Sequence, residues 1–473
     1  MVAVVLCGLI EPLSTLRRLI PLDPNEGWNA YFSQIALAGG GLYPAGGSLI
    51  TNNYPPLSFY VVGIVGLVTG DNILAGRLIA LISMLVVAGN LYYWLRATGS
   101  AVRIALLGAT VFLAFAVTYG GEYVAMDDPQ WLAHAIMTTG LVVLWRGKAS
   151  ARAIVAASIL MVAAGLTKHL LIPIPIAVTF WLMRRSRSAF ITWIVSAGIV
   201  LTVSLLLLRW AYGAAFFESI RTARLYSLHH SVRASAAALR CFAPLVGLSL
   251  LLCAAERSER AVFLAAYLVV AAAIGAVAAG GAGVDVNAFF DLLIAASLGA
   301  ALAIDVLWSG SVHSRIFAAG TNLDLKLDLK FGPIAIVLLG FCTAAYATTK
   351  LPRELANVRN LDSLEKISLN YISQIRAQGR GRAVCEMAGL CYWANTPFTL
   401  DLFIYGQKLE TGALPPASCQ SVFQAATVPL IQLQSVNRRG VELLPETCSR
   451  TIYENYRSIA DSDLGVLLVP RRR

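Results

Sequence analysis

Charge is scarce in this chain. Only 13% of its 473 residues are Asp, Glu, Lys or Arg, while 58% are hydrophobic. Soluble domains carry about 25% charged residues, so a soluble globular enzyme is excluded. Solenoid-length repeats and low-complexity tracts are also missing, which rules out repeat arrays and disordered linkers. What recurs instead are apolar runs of about 20 residues, the length that crosses a bilayer. Acids are fewer than bases, 26 against 37, giving a net charge of +11. In a membrane protein Lys and Arg mark cytoplasmic loops, so no nucleic-acid partner is expected. Zinc spacing is absent too: there is no C-x-x-C and no His beyond residue 350. No metal-ligating cluster and no cofactor are expected, although the composition leaves a divalent metal open.

The N-terminus has no basic segment or cleavage site of a signal peptide. Residues 1–10, MVAVVLCGLI, are too short to cross about 30 Å of hydrocarbon at 1.5 Å per residue. A start further upstream is expected, with Met1 to Leu22 otherwise forming a short tilted helix.

The stretch that organises the rest is LDPNEGWNAYFSQIALAGGGLYPAGGSLITNNYPPLSFY, residues 22–60. It is polar, aromatic and rich in Gly and Pro, in a chain that is otherwise apolar helix. Asp23 and Glu26 stand just ahead of a helix whose Trp28, Tyr31, Phe32 and Ile35 share one face, suited to headgroup level. Asn52, Asn53, Tyr54, Pro55 and Pro56 form a stiff turn, because Pro restricts itself and the residue before it.

Residues 56–70 are short for a span and hold three glycines. They are expected to re-enter or lie along the surface. Helices then run at about 73–95, 104–120, 130–146, 153–166, 169–183, 189–212, 234–254, 261–279, 288–308 and 332–349, about 11 spans with the first. The intervening loops alternate. One set carries Arg96, Arg103, Arg146, Lys148, Arg152, Arg184, Arg185, Arg187, Arg257, Arg260, Arg315, Lys326 and Lys330. The positive-inside rule places that set in the cytoplasm.

The opposite face then gathers the unusual polar residues: Asp23, Glu26, Asn53 and Tyr54; Asp127 and Asp128 in MDDPQ; Lys168 and His169 in LTKHLL; Arg221 and Arg224; Asp285 and Asn287 in GVDVNAFFD. Ionisable groups near hydrocarbon cost about 2.5–3.5 kcal/mol each, so they are paired or functional. Plain structural roles exist for several. Asp23 can cap the helix behind it with Glu26 completing a capping box, and Asp127 or Asp128 can cap the helix after Pro129. Lys168 can snorkel, His169 can sit satisfied at the interface, and Arg77 can anchor a helix end.

From about 350 to 473 the chain turns charged and mixed. Leu355, Val358, Leu361, Leu364, Ile367, Tyr371 and Ile375 mark an amphipathic helix. AVCEM, VPLIQL and LGVLLVP read as short strands. A small α/β domain on the outer face is expected, with 1–349 as the membrane domain and 22–72 as its first outer loop. Cys7, Cys241, Cys253 and Cys342 fall in apolar helices, whereas Cys385, Cys391, Cys419 and Cys448 all fall in this domain. An even number in an oxidising compartment suggests two disulfides, with three connectivities open. Proximity favours Cys385–Cys391 and Cys419–Cys448.

Taken together, EGWNA, NNYPPLSFY, MDDPQ, GLTKHLL, GVDVNAFFD and CYWANTPFTLDLF resemble bacterial GT-C superfamily glycosyltransferases. Protein O-mannosyltransferases, lipid A aminoarabinose transferases and rhizobial lipopolysaccharide-core transferases are of this kind. The resemblance implies a multi-pass protein of the bacterial inner membrane whose active site and C-terminal domain face the periplasm. It implies a sugar taken from a polyprenyl-phosphate donor and given to a glycan, lipid or protein acceptor of the envelope. It also implies an acidic residue in the first outer loop as the acceptor-activating base, often in an Asp-Glu pair. Here the pair reads Asn25-Glu26, with Asp23 two positions earlier, and Tyr54 stands where relatives often have Lys. An amide cannot take a proton at neutral pH. Glu26 is therefore the expected base, with Asp23 and Asp128 in support. Lys168, Arg221 and Arg224 are the expected cations near the departing phosphate. Asn53, Tyr54, Asp127, His169, Asp285 and Asn287 are expected to line the substrate site.

Two other classes predict different sequences. A transporter or flippase should show paired internal repeats and helices broken at mid-membrane, and neither is visible. A non-catalytic assembly factor for envelope polysaccharide needs the outer domain but not the clustered carboxylates.

Overall fold

The computed structural model describes residues 1–44, 48–309, 312–318, 321–327, 331–423, 428–434 and 443–471. Long apolar runs give long helices, which tolerate Pro244 and Pro352 in their interiors. In order these are α1 (Val2–Gly8), α2 (Ile10–Thr15), α3 (Pro24–Leu37), α4 (Leu57–Thr69), α5 (Asn72–Ala97), α6 (Val102–Tyr119) and α7 (Gln130–Arg146). Then follow α8 (Ala151–Gly165), α9 (Pro173–Arg185), α10 (Arg187–Ile220), α11 (Leu228–Ala255), α12 (Glu259–Ala278), α13 (Phe290–Ser309) and α14 (Gly332–Gln378).

Among the described residues, 7 helices are long and apolar enough to cross a membrane; Val2–Thr15, Leu57–Thr69 and Ala151–Gly165 are shorter apolar segments. The helix before α14 is central, with 89% of its apolar window buried, whereas only 11% of that of α10 is. The faces that α10 leaves open, such as Trp210 and Leu206, suit lipid contact. Where a loop of basic residues was expected after α13, a hairpin of β1 (Val312–Ala318) and β2 (Thr321–Leu327) stands instead.

α4 starts and ends at one end of the bundle. Its first amide, Leu57 N, donates to Leu166 O in the α8–α9 connection at 3.1 Å. Just past its other end, Asp71 caps α5 and accepts from Trp393 Nε1 at 3.0 Å. Both ends of residues 57–69 therefore lie at the same end of the bundle. The starts of α5 and α7 and the ends of α6 and α8 share that same end, and Arg96, Arg103, Arg146 and Arg152 lie at the other. There Arg260 Nη1 reaches Thr98 O at 3.4 Å, and Arg185 pairs with Glu259.

The expected boundary at 349/350 falls inside α14, which runs unbroken for 47 residues. Beyond it come β3 (Val384–Cys385), α15 (Ala388–Trp393), α16 (Leu402–Glu410), α17 (Ser418–Phe423), β4 (Ile431–Leu433), α18 (Glu446–Asn455), β5 (Tyr456–Ser462) and β6 (Gly465–Pro470). The sheet order is β3-β4-β6-β5, parallel only between β3 and β4. Cys385–Cys391 and Cys419–Cys448 are bridged, with Cα atoms 5.8 and 5.2 Å apart; Cys7, Cys241, Cys253 and Cys342 are free.

This C-terminal domain sits directly on the first loop. Tyr31 Oη donates to Thr396 O at 2.5 Å, its ring stacks on Phe398 at 4.9 Å, and Lys408 Nζ reaches Ser48 O at 2.8 Å. Gly27 permits the approach, because a Cβ there would run into the backbone of Ala388 and Gly389.

Candidate active site

Asp23 is the N-cap of α3: its backbone is extended, Pro24 follows at the first turn, and its carboxylate accepts from Asn25 N at 2.8 Å. The capping role is real, yet only one side-chain oxygen serves it. The side chain lines a cleft of about 430 Å³ between the first loop and the C-terminal domain. Burial, with smaller contributions from Glu26, Asp128 and Asp285, outweighs the Asn25 hydrogen bond and pushes its pKa up to about 6.

Glu26 does not face that cleft. It is fully buried, and Arg77 forks onto it, Nε to Oε1 and Nη2 to Oε2, both at 2.7 Å. Leu22 N adds a bond to Oε2 at 2.8 Å and Asp127 N one to Oε1 at 3.3 Å. All lone-pair directions of the carboxylate are taken. Glu26 was expected at the interface as the base; it lies instead buried, with both oxygens paired. Arg77 differs from its expected place as well. It lies inside α5 rather than anchoring its end, and it donates to Thr15 O, Arg18 O and Ile20 O at 3.0, 3.0 and 2.6 Å. The sequence signal was an Arg inside the apolar run NILAGRLIAL, which demands a partner.

Asp128 has both a capping and an electrostatic part. Its Oδ1 accepts from Gln130 N at 2.7 Å at the start of α7 and from Lys168 Nζ at 3.0 Å. Lys168 is buried rather than snorkelling, and it lies 5.0 Å over the Tyr54 ring. Burial works against its charge, but Asp128 outweighs burial and the pKa is raised. Tyr54 in turn meets Trp28 edge-on at 5.1 Å. Trp28 Nε1 donates to Asp401 Oδ2 at 3.0 Å, while Asp401 Oδ1 caps α16 through Ile404 N at 3.0 Å. Burial raises Asp401 to about 6, against the pull of Ile404 N and Arg224.

The cleft is thus lined by Asp23, Asn53, Tyr54, Trp28, Arg224 and Asp401, among others. Arg224 lies 5.4 Å over the Phe403 ring and reaches Ala282 O at 3.4 Å. Other expected residues stand apart. Asp127 is buried away from the cleft against Gly76, where a Cβ would collide with its carboxylate. Arg221, at the end of α10, His169 and Asp285 are exposed; Asn287 is half-buried in the turn Val286–Phe289, and none of these four lines the cleft. Asp401 lies within the CYWANTPFTLDLF motif, but nothing in that motif sets its Asp apart from an ordinary cap. Among the described residues no three His, Cys, Asp or Glu side chains gather to hold a metal.

Chemically, the cleft offers two carboxylates of raised basicity, Asp23 and the Trp28-bonded Asp401, with the Arg224 guanidinium and aromatic walls. The same architecture recurs among solved structures. ArnT from Cupriavidus metallidurans in the apo state matches 99% of the chain over 97% of its own, with a TM-score of 0.62 at 14% identity. ArnT bound to undecaprenyl phosphate matches over the same shares, with a TM-score of 0.59 at 15% identity. The oligosaccharyltransferase AglB from Archaeoglobus fulgidus, in complex with an inhibitory peptide and a dolichol-phosphate, matches 100% of the chain over 74% of its own, with a TM-score of 0.55 at 10% identity. No family model and no curated protein matches the sequence. The chain shares its fold with these proteins: a bundle of apolar helices, several long enough to cross a membrane, with a small C-terminal sheet.

Proposed function

We propose that the chain is a membrane glycosyltransferase that moves a sugar from a polyprenyl-phosphate donor to a glycan, lipid or protein acceptor of the envelope. The reading rests on one observation: Asp23 and Arg224 face one cleft, in a fold shared end to end with an enzyme bound to undecaprenyl phosphate. In this reading the acceptor hydroxyl gives its proton to Asp23 as its oxygen attacks the anomeric carbon. The bond from that carbon to the phosphate oxygen breaks, and polyprenyl phosphate leaves with the electron pair. Arg224 meets the charge that develops on phosphate. Lys168, neutralised by Asp128, holds Tyr54 as a wall of the cleft. A carboxylate near 6 suits a base at neutral pH: it is mostly ionised there, yet more basic than an ordinary Asp. No metal or cofactor enters the step as written, since the guanidinium supplies the positive charge. The basic end of the bundle is assigned to the cytoplasm of a bacterial inner membrane, which puts the cleft and the C-terminal domain in the periplasm.

Mass spectrometry of envelope glycans tests this. Cells with the native chain should carry a sugar that cells with Asp23→Asn lack at equal protein level. Identical glycans in the two would overturn the proposal.

A further inference from the structure

Asp127 has no part in the cleft, and its surroundings point to a separate site. Its side chain faces a small enclosed pocket bounded by α3, α4, α5 and the start of α7. Four side-chain oxygens in the lining residues, Asn29 Oδ1, Ser33 Oγ, Ser58 Oγ and Asp127 Oδ2, find no hydrogen-bond partner among the described residues. All four residues are at most 2% exposed. A buried polar group left unpaired costs about 1–3 kcal/mol, so four around one pocket imply a guest. The pocket holds about 10 Å³, the least that admits one water. That room exists because residue 76 is glycine: a Cβ there would strike the Asp127 carboxylate.

The Asn29 amide cannot be turned round, because its Nδ2 donates to Asp127 O at 2.7 Å. Its Oδ1 is therefore left as a pure acceptor. An ionised Asp127 Oδ2 is also a pure acceptor, so the two cannot satisfy each other. The serine hydroxyls can donate or accept.

We propose that this pocket binds a single water molecule, which donates to Asn29 and Asp127 and accepts from Ser33 and Ser58. It thereby joins the acidic loop before α7 to α3 and α4. A hard monovalent cation is the competing guest, since it also takes oxygen ligands. The hydroxyl protons decide against it: around a cation two serine protons have no acceptor, whereas water uses all four contacts. Burial, with Glu26 and Asp128 nearby, holds the Asp127 carboxyl well above the usual carboxylate range. A protonated Asp127 would donate to the water in place of one serine, which leaves one hydroxyl proton unmatched, against two around a cation. A cation beside a neutral acid loses its counter-charge.

The proposal is independent of the transfer reaction and predicts density. A high-resolution cryo-electron microscopy map of the full chain in a nanodisc should show one peak within hydrogen-bond reach of all four oxygens. The peak should be present equally in sodium chloride and in choline chloride. No peak, or a peak only in sodium, would overturn the proposal, as would a melting temperature that rises with sodium over choline at constant ionic strength. Ser33→Ala and Ser58→Ala should each lower the melting temperature by a few degrees. Because both lose the same water, the double variant should lose less than the sum; strictly additive losses would count against a shared guest.

Discussion

Arg77 lays its guanidinium along both carboxylate oxygens of Glu26, 2.7 Å from each. That single fork leaves Glu26 fully paired, while Asp23 lines the cleft. Removing one partner of a buried pair leaves the other charged and desolvated, at a cost of about 3–5 kcal/mol. Glu26→Gln is therefore expected to lower stability by about that amount, read by thermal or denaturant melting. Asp23→Asn, with a side chain that still caps α3 and carries no buried charge, should melt no lower than the native chain at neutral pH and lose transfer by roughly a hundredfold or more. A well-folded, inactive Glu26→Gln beside an active Asp23→Asn would reverse the assignment.

Transfer and stability should respond to pH in opposite directions. Asp23 and Asp401 are both raised to about 6 by burial, against about 3.9 in an unfolded chain. The folded form holds these protons more tightly, so their contribution to stability is complete below about pH 4 and lost as pH rises through about 6. The base, by contrast, works only once Asp23 is ionised, so the transfer rate should climb through about pH 6. Rate profiles and melting curves measured across the same buffers check both slopes. A transfer rate flat from pH 5 to 7 would count against Asp23 as the base.

The Lys168–Asp128 pair should behave as one unit. Lys168→Met and Asp128→Asn each strand a buried partner, and each should destabilise by about 3–5 kcal/mol. The double variant should be milder than the sum, since neither charge is then left alone. Melting of the three variants gives the coupling; simple additivity would mean that the two side chains do not interact in the folded chain.

The bridges of the C-terminal domain enclose loops of very different length, with separations of 6 and 29 residues. In the chain-entropy picture the longer loop gains more. Replacing Cys419 and Cys448 by Ser should cost about 3 kcal/mol and exceed the loss on replacing Cys385 and Cys391. Non-reducing peptide mapping should recover both pairs from the mature protein; four free thiols would remove the exported placement with them.

Sidedness is checked by thiol labelling. Cysteines placed at Arg185 and at the exposed Thr399, beside the buried Leu400, should react from opposite sides of the membrane. Labelling of both from one side would break the proposed topology.

Much of the fold follows from local sequence. Long apolar runs had to become helices, since only helices and closed barrels satisfy the backbone in lipid. Loop charge alternation and the short, glycine-interrupted run of 56–70 argue that this segment turns back, and in the structure its two ends lie at one end of the bundle. AVCEM, VPLIQL and LGVLLVP are short, largely apolar runs, the mark of buried strands. The partner strand Tyr456–Ser462, half-exposed and polar in sequence, and the hairpin of Val312–Ala318 and Thr321–Leu327 are hidden from such reading.

Side-chain roles were decided elsewhere. Asp23, Glu26, Asp127 and Asp128 are chemically near-identical acids in sequence, and only the resemblance to the GT-C acidic pair singles out Glu26. Their partners come from far along the chain: Arg77 lies 51 residues from Glu26, Lys168 lies 40 from Asp128, and Asp401 lies 373 from Trp28. No local period encodes such meetings. The sequence by itself determined that this chain would be a membrane bundle with an acidic first loop. Which acid is paired, which caps and which faces the cleft was set by tertiary packing, because desolvation and counter-charge depend on neighbours that only the fold brings together.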